Sequence, residues 1–253
     1  TYYANLTSRT ETATTTKSDE NYSVGTAQSY SYTISPGIKQ NIKTNNSAWT
    51  FKEVGSYNTV SSGNGADYVT ISGGYDSVNA GTGRNVISVS GGIYNTVVGG
   101  SDMDSVYLQS ASNNLINVGN GSNMVSIHAY SNTESNNNTV NAGNGNDSVI
   151  LEWVDKNEVN AGSGANEVSI AGSQNTVKTG TDNDIIALMT PDTVGGTDSL
   201  TSSNYVFTDA GNDDIVVMGS YNTVESGDGG DTIKTYGSYN LVDAGAGSDD
   251  IYI

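Results

Sequence analysis

Aspartate returns at a fixed place along most of this 253-residue chain. Asp67, Asp104, Asp147, Asp184, Asp213, Asp231 and Asp249 each fill the tenth position of a short unit, idealised as N-x-V-x-x-G-x-G-x-D-x-[VI]-x-[VIL]. Asp182, Asp209, Asp228 and Asp250 fall on the same Gly-rich edge. Carboxylates beside glycine turns, whose backbone carbonyls are bare, make a hard oxygen donor set. With no His or Cys among them, such a set suits Ca²⁺ better than zinc or copper. Mg²⁺ fits less well, because it resists dehydration and demands a strict octahedron.

The spacing of these residues requires a stacked coil. Three units run back to back from Asn204, Asn222 and Asn240, and the pattern can be followed back to Asn58. The first position holds Asn58, Asp76, Asn95, Asn114, Asn138, Asn157, Asn175, Asn204, Asn222 and Asn240. The tenth alternates early, as Asp67/Asn85, Asp104/Asn123 and Asp147/Asn166, and becomes all aspartate from Asp184 onward. Apolar residues two apart, such as Val69/Ile71 and Val106/Leu108, point to one face of a strand. Self-similarity at a short period is the mark of a solenoid. The expectation is therefore an all-β chain, a parallel β-roll or β-solenoid of about ten 18–19-residue coils, with parallel pairing at roughly 4.8 Å per coil.

Each unit supplies two short strands joined by a turn. The sixth position opens that turn and is Gly in every unit but one, where Asp209 stands; a left-handed corner is expected there. Length varies only on the opposite edge, which expands over 128–137 and 189–203. The Gly/Asp edge is constrained, and the other is free to carry loops.

Residues 1–54 do not fit the unit and are expected to form an N-terminal β cap or tether ahead of repeats over 55–253. Tyr30-Ser-Tyr32-Thr-Ile34 reads as strand, Ser35-Pro36-Gly37 as turn, and Trp49-Thr-Phe51 as a last strand closing an open coil end. The alternative is a strand donated to another subunit.

Composition narrows the classes. Hydrophobic residues are 34% of the chain, too few for a thick globular core but enough for a thin solenoid one. Cysteine is absent, which removes disulfides and thiolate metal sites. There is no long apolar run and so no membrane insertion is expected. No signal peptide is read; Thr1 is the kind of start that a mature product or an excised fragment has. Net charge is −18. Residues 1–60 hold five bases against four acids, a balance of +1; residues 61–253 hold 23 acids against four bases, a balance of −19. That surface repels nucleic acid and attracts cations.

Stacked aspartates strengthen the cation argument. Carboxylates one coil apart, about 4.8 Å, repel by roughly 0.9 kcal/mol in water and about 3.5 kcal/mol at an effective dielectric near 20. Asp184, Asp213, Asp231 and Asp249 are consecutive and are expected to be the firmest Ca²⁺ sites. Asp67, Asp104 and Asp147 lie two coils apart, with weaker sites or none. The competing reading is a metal-free ladder of Asp and Asn hydrogen bonds.

Asn144-Gly145-Asn146-Asp147-Ser148-Val149 and Gly227-Asp228-Gly229-Gly230-Asp231-Thr232-Ile233 resemble the G-G-x-G-x-D-x-U-x nonapeptide of the RTX (hemolysin-type) calcium-binding β-roll family. The resemblance covers roughly residues 58–253. It implies Ca²⁺ held between neighbouring turns by the Asp side chain and turn carbonyls, with secretion and folding outside the cell. The chain departs from the family in carrying the nonapeptide on one edge only, with the Asn file on the other, and in its Asp/Asn alternation.

Other features point less sharply. Tyr57, Tyr75 and Tyr94 share one position in successive coils, as do Tyr221 and Tyr239; they form either a sugar-stacking stripe or a structural ladder. The Asn file is expected to be structural. His128 is the one histidine and stands outside the repeat register, so no Ser/His/Asp set is assembled and no enzyme is expected. Thr59, Thr96, Thr139 and Thr176 hint at the flat array of an ice-binding solenoid, but Leu115, Glu158 and Tyr205 interrupt it. The expected function is a secreted, calcium-binding structural module of a cell-surface or extracellular protein, such as an adhesin, surface-layer or matrix filament subunit that self-associates. The alternative is a glycan-binding accessory module of a polysaccharide-modifying enzyme.

Overall fold

A computed structural model describes residues 12–15, 20–23, 30–34, 40–43, 48–53, 55–129, 135–189 and 202–253. The chain enters a first sheet at Thr12–Thr15, crosses to a second at Glu20–Ser23, returns at Tyr30–Ile34, and alternates in this way to Asp250–Tyr252. The described strands form a 13-stranded sheet facing a 12-stranded one, with Asp228–Gly229 and Ala246–Gly247 as a third, two-stranded sheet, every pairing parallel. The molecule is a β-solenoid. Among the described residues there is no helix long and apolar enough to cross a membrane.

The period-2 pattern explains which residues face inward. In Val86–Ser90 and Ser105–Gln109, Ile87/Val89 and Val106/Leu108 are fully buried, while Ser88 and Tyr107 between them look outward. The second sheet contributes a deep apolar residue in successive coils, from Val60 through Val97 and Val140 to Val224, and Val118 and Ala161 add a second in theirs. Parallel register then stacks like on like: Val106 lies between Ile87 and Val125, and Val140 between Ile116 and Val159. Each added buried methylene contributes about 0.8 kcal/mol, and the file of identical sites lets every coil use the same side chains.

The N-terminal segment winds with the repeats. Tyr30–Ile34 and Trp49–Glu53 pair in register ahead of Tyr68–Ile71 in the first sheet, and Gln40–Lys43 precedes Thr59–Ser61 in the second. Trp49 and Phe51, expected to close an open end, are instead buried core residues stacked on one another at 5.8 Å. What differs in this segment is side-chain choice, since bulky aromatics replace the Val/Ile file while the backbone path continues. The turn expected at 35–37 and most of the 189–203 expansion lie outside the described residues.

The two edges are built differently. On the Gly edge, Gly100 has φ +137°, and a Cβ there would fall 1.5 Å from the Gly81 carbonyl oxygen, so only glycine lets successive turns approach this closely. Asp209 takes the same corner with φ 67°, as its type allows. On the opposite edge the left-handed residue is not the first-position Asn but the one before it: Tyr57, Tyr75, Tyr94, Asn113, Asn137, Lys156, Gln174, Ser203, Tyr221 and Tyr239 all have φ between 56° and 64°.

The Asn file has a different duty. Asn138 Oδ1 accepts the Asn114 backbone N–H at 3.0 Å, and Asn138 N–H donates to Asn157 Oδ1 at 2.9 Å. The relation repeats along the file to Asn222 and Asn240. The amide nitrogens donate to turn carbonyls, as Asn138 Nδ2 does to Ala111 and Ser135. Asn138→Ala is expected to strand these groups and lower stability by about 1–3 kcal/mol in urea unfolding, while Thr139→Ala on the outer face stays near neutral.

Candidate metal site

The tenth-position file is an interior ladder, not a row of exposed carboxylates. Asp67, Asp104, Asp147, Asp184, Asp213 and Asp231 are at most 3% exposed. Each sits at the corner just before a strand of the first sheet, where the chain turns inward from the Gly edge. One carboxylate oxygen is engaged. Asp67 Oδ1 accepts the Trp49 N–H at 2.7 Å, Asp104 Oδ1 that of Asn85 at 2.9 Å, and Asp147 Oδ1 that of Asn123 at 2.7 Å. Asn residues do the same in the coils between, and the run continues through Asp184, Asp213, Asp231 and the half-buried Asp249.

The second oxygen separates Asp from Asn. In the Asn coils the amide nitrogen occupies this place and donates to turn carbonyls: Asn123 to Gly119 and Gly121 at 3.3 and 2.9 Å, Asn166 to Gly162 and Gly164 at 3.2 and 2.7 Å, Asn85 to Gly83 at 2.9 Å. In the Asp coils an acceptor stands where the donor stood. Oδ2 of Asp67, Asp104, Asp147, Asp184, Asp213 and Asp231 is buried without a hydrogen-bond partner. An unsatisfied buried acceptor costs about 1–3 kcal/mol, and more when charged. A proton or a cation placed there would remove that cost.

The residue five before each tenth position carries a signal the repeat reading passed over. Ser62, Thr179, Thr208 and Ser226 precede Asp67, Asp184, Asp213 and Asp231, whereas Ala80, Val118 and Ala161 precede Asn85, Asn123 and Asn166; Asp147 and Asp249 depart from this, with Ala142 and Ala244 before them. These hydroxyls are interior. Ser62 Oγ donates to the Ala80 carbonyl at 2.9 Å and Thr208 Oγ1 to that of Ser226 at 2.8 Å. A hydroxyl has one proton and here two claimants, the carbonyl and the carboxylate beside it. At Asp104 the position is Gly99, and a Cβ there would lie 2.5 Å from Asp104 Oδ2 and 2.8 Å from the Val118 carbonyl oxygen. That glycine leaves a small cradle walled by a carboxylate oxygen and a carbonyl oxygen.

Burial dominates the titration of the file. It pushes Asp104 and Asp147 up to about 6, against the partial offset of hydrogen bonds from Asn85 and Asn123. Asp213 is also pushed up to about 6: burial raises it most, the Thr208 hydroxyl and the Asp184 N–H partly offset this, and the neighbouring charges of Asp184 and Asp231 add a smaller rise. Asp67 and Asp184 move in the same direction for the same leading reason.

The remaining candidates are placed differently. Asp182 and Asp228 are exposed on the Gly turn, and Asp182 Oδ2 accepts the Gly164 N–H at 2.9 Å. Among the described residues no three His, Cys, Asp or Glu side chains converge as a metal-holding group. A cation here would therefore take one carboxylate oxygen together with turn carbonyls, the hard set that suits calcium, and the orphan Oδ2 file with the Gly99 cradle fits that demand. Tyr75 has a ring stacked on each face, Tyr57 at 4.9 Å and Tyr94 at 5.2 Å, so it offers neither face to a sugar. His128 Nδ1 pairs with Glu152 at 3.2 Å on the outer face of the first sheet, away from the file.

Comparison with family models, with curated proteins and with solved structures finds no match to this chain.

Two outcomes follow for the protein in a chelator. The aspartates have folded pKa values above their unfolded values near 3.8, so the folded state binds more protons between about pH 4 and 6. Stability is then greatest below about pH 4 and is lost as pH rises through about 6, in urea unfolding at stepped pH. Asp213→Asn is expected to raise chelator stability at neutral pH by about 1–3 kcal/mol, since the amide can donate where the carboxylate cannot.

Proposed function

We propose that this chain is a calcium-binding structural rod of a secreted or cell-surface protein, non-enzymatic, in which Ca²⁺ enters the interior aspartate file and makes the solenoid rigid. The observation that carries this reading is the row of buried Oδ2 atoms without partners, set where Asn amides elsewhere in the same file meet turn carbonyls. A divalent cation supplies positive charge to both kinds of oxygen at once. The likeness of the Gly-turn motifs to RTX nonapeptides agrees with this, and so does the balance of −19 over residues 61–253. Extracellular calcium is plentiful, so an acidic chain that resists coiling until export would fold where the ion is available. Binding to the folded form alone stabilises it by mass action, about 2.7 kcal/mol at a hundredfold excess over Kd.

Within the file, Asp184, Asp213 and Asp231 are the strongest candidates. They follow one another without an intervening Asn, and each has an interior hydroxyl five residues earlier. Asp104 is the best placed of the earlier coils, because Gly99 leaves room beside it. As an adhesin, layer or filament subunit the rod would carry its partners on the outer faces and on the variable edge.

Calcium titration of chelator-treated protein tests the reading, with circular dichroism and isothermal calorimetry as readouts. The expected result is a calcium-dependent gain in melting temperature, reduced in Asp184→Asn/Asp213→Asn/Asp231→Asn. An unchanged melt in excess calcium, together with no binding heat at neutral pH, would overturn the reading and leave the file as a metal-free ladder of Asp and Asn hydrogen bonds.

A further inference from the structure

Two stacks of exposed tyrosines stand on the variable edge, across the molecule from the aspartate file. Tyr57, Tyr75 and Tyr94 stack at 4.9 and 5.2 Å between ring centroids, with planes 9° and 22° apart. Tyr221 and Tyr239 stack at 5.0 Å and 10°. All five lie between 48% and 77% exposed. Their geometry is imposed by the backbone. Each holds the left-handed corner residue of its coil, so the side chains leave in one direction, one coil apart.

We propose that these stacks are modification sites for oxidative coupling, joining adjacent tyrosines into dityrosine and tying neighbouring coils covalently. The co-reactant class is a one-electron oxidant of phenols, such as a haem peroxidase with hydrogen peroxide. Each of two tyrosines gives up one electron and one proton to become a phenoxyl radical. The radicals combine through a carbon–carbon bond between ring positions ortho to the hydroxyls. The ring protons at the new bond then shift to the oxygens, restoring both phenols. Two electrons and two protons leave in all, and they reduce one hydrogen peroxide to two waters.

The stacks favour this step over other tyrosine chemistry for an orbital reason. Phenoxyl spin density lies in π orbitals perpendicular to the ring, so the new bond starts from face-to-face carbons. Rings held parallel in neighbouring coils already present those faces, and holding reactants in contact replaces a rare encounter of two radicals. Exposure admits the oxidant and leaves the rings free to tilt as the bond forms. Tyr107 and Tyr236 are exposed too, at 40% and 69%, but no ring stacks on either among the described residues; the strand neighbours of Tyr107 are Ser88 and Ser126. The inference depends on the coils being stacked and not on what fills the aspartate file.

The test treats dilute folded protein with a haem peroxidase and hydrogen peroxide, once in calcium and once in chelator, with circular dichroism confirming the fold in each sample. Cross-linked peptides are mapped by mass spectrometry. Links are expected at Tyr57–Tyr75, Tyr75–Tyr94 and Tyr221–Tyr239, in roughly tenfold or greater excess over any involving Tyr107 or Tyr236. Their yield per chain should hold on dilution and fall in urea. Tyr75→Phe keeps the ring and removes the phenol; it should erase both links of its stack and leave Tyr221–Tyr239 intact. Links spread evenly over Tyr107 and Tyr236, links lost on dilution, or a folded sample oxidised without linkage would each overturn the proposal.

Discussion

The structure depends on how a buried backbone N–H is satisfied at a corner. Where the chain swings from a turn into a strand, the N–H of the corner residue has left the strand ladder but is already out of reach of water. An Asp or Asn in the next coil supplies Oδ1, at 2.7 to 3.0 Å, along both edges. A buried N–H without an acceptor is destabilising, so the corner position in every repeat must carry a short side chain with an oxygen at that reach. This requirement, rather than turn propensity, keeps Asx in the first and tenth positions.

Asp and Asn meet that requirement equally through Oδ1 and differ only at the second atom. On the Asn file the amide nitrogen is used, donating to turn carbonyls or to the next amide oxygen. On the Gly edge Asn is used the same way, yet six buried aspartates place an acceptor among acceptors. An interior built only for cohesion would have no reason to prefer Asp there, since Asn closes the same ladder without the deficit. The same burial that creates the deficit also raises the aspartate pKa values, because the charged form loses more from leaving water than the neutral one.

Outside the core the repeat is loosely specified. Outer-face residues change type from coil to coil, as Ser88, Tyr107, Ser126 and Ile150 do in one row of the first sheet. Only the left-handed corner before the Asn file repeats a bulky choice, and tyrosine recurs there although its backbone state is uncommon for such a residue. Stacking between rings, worth about 0.5–1.5 kcal/mol per pair, helps to offset a conformational cost of about 1–2 kcal/mol.

Much of this was legible in the chain itself. The repeat register, the alternation of Val69 and Ile71 with outward residues, the glycine corner with its Asp209 exception and the confinement of insertions to one edge all follow from local rules, because parallel stacking repeats one coil's chemistry in the next. The continuation of the winding into the first fifty residues was hidden, since Trp49 and Phe51 fill the core by bulk rather than by the Val/Ile pattern. The inward direction of the aspartates was hidden as well. Spacing alone places a carboxylate on an edge; whether it faces water or the N–H of the coil before it depends on how closely two turns approach, and that distance exists only once the coils are stacked. Three-dimensional packing therefore decided that each buried aspartate has one oxygen held and one left unmatched, because a side chain's solvent and its partners come from residues eighteen or more positions away.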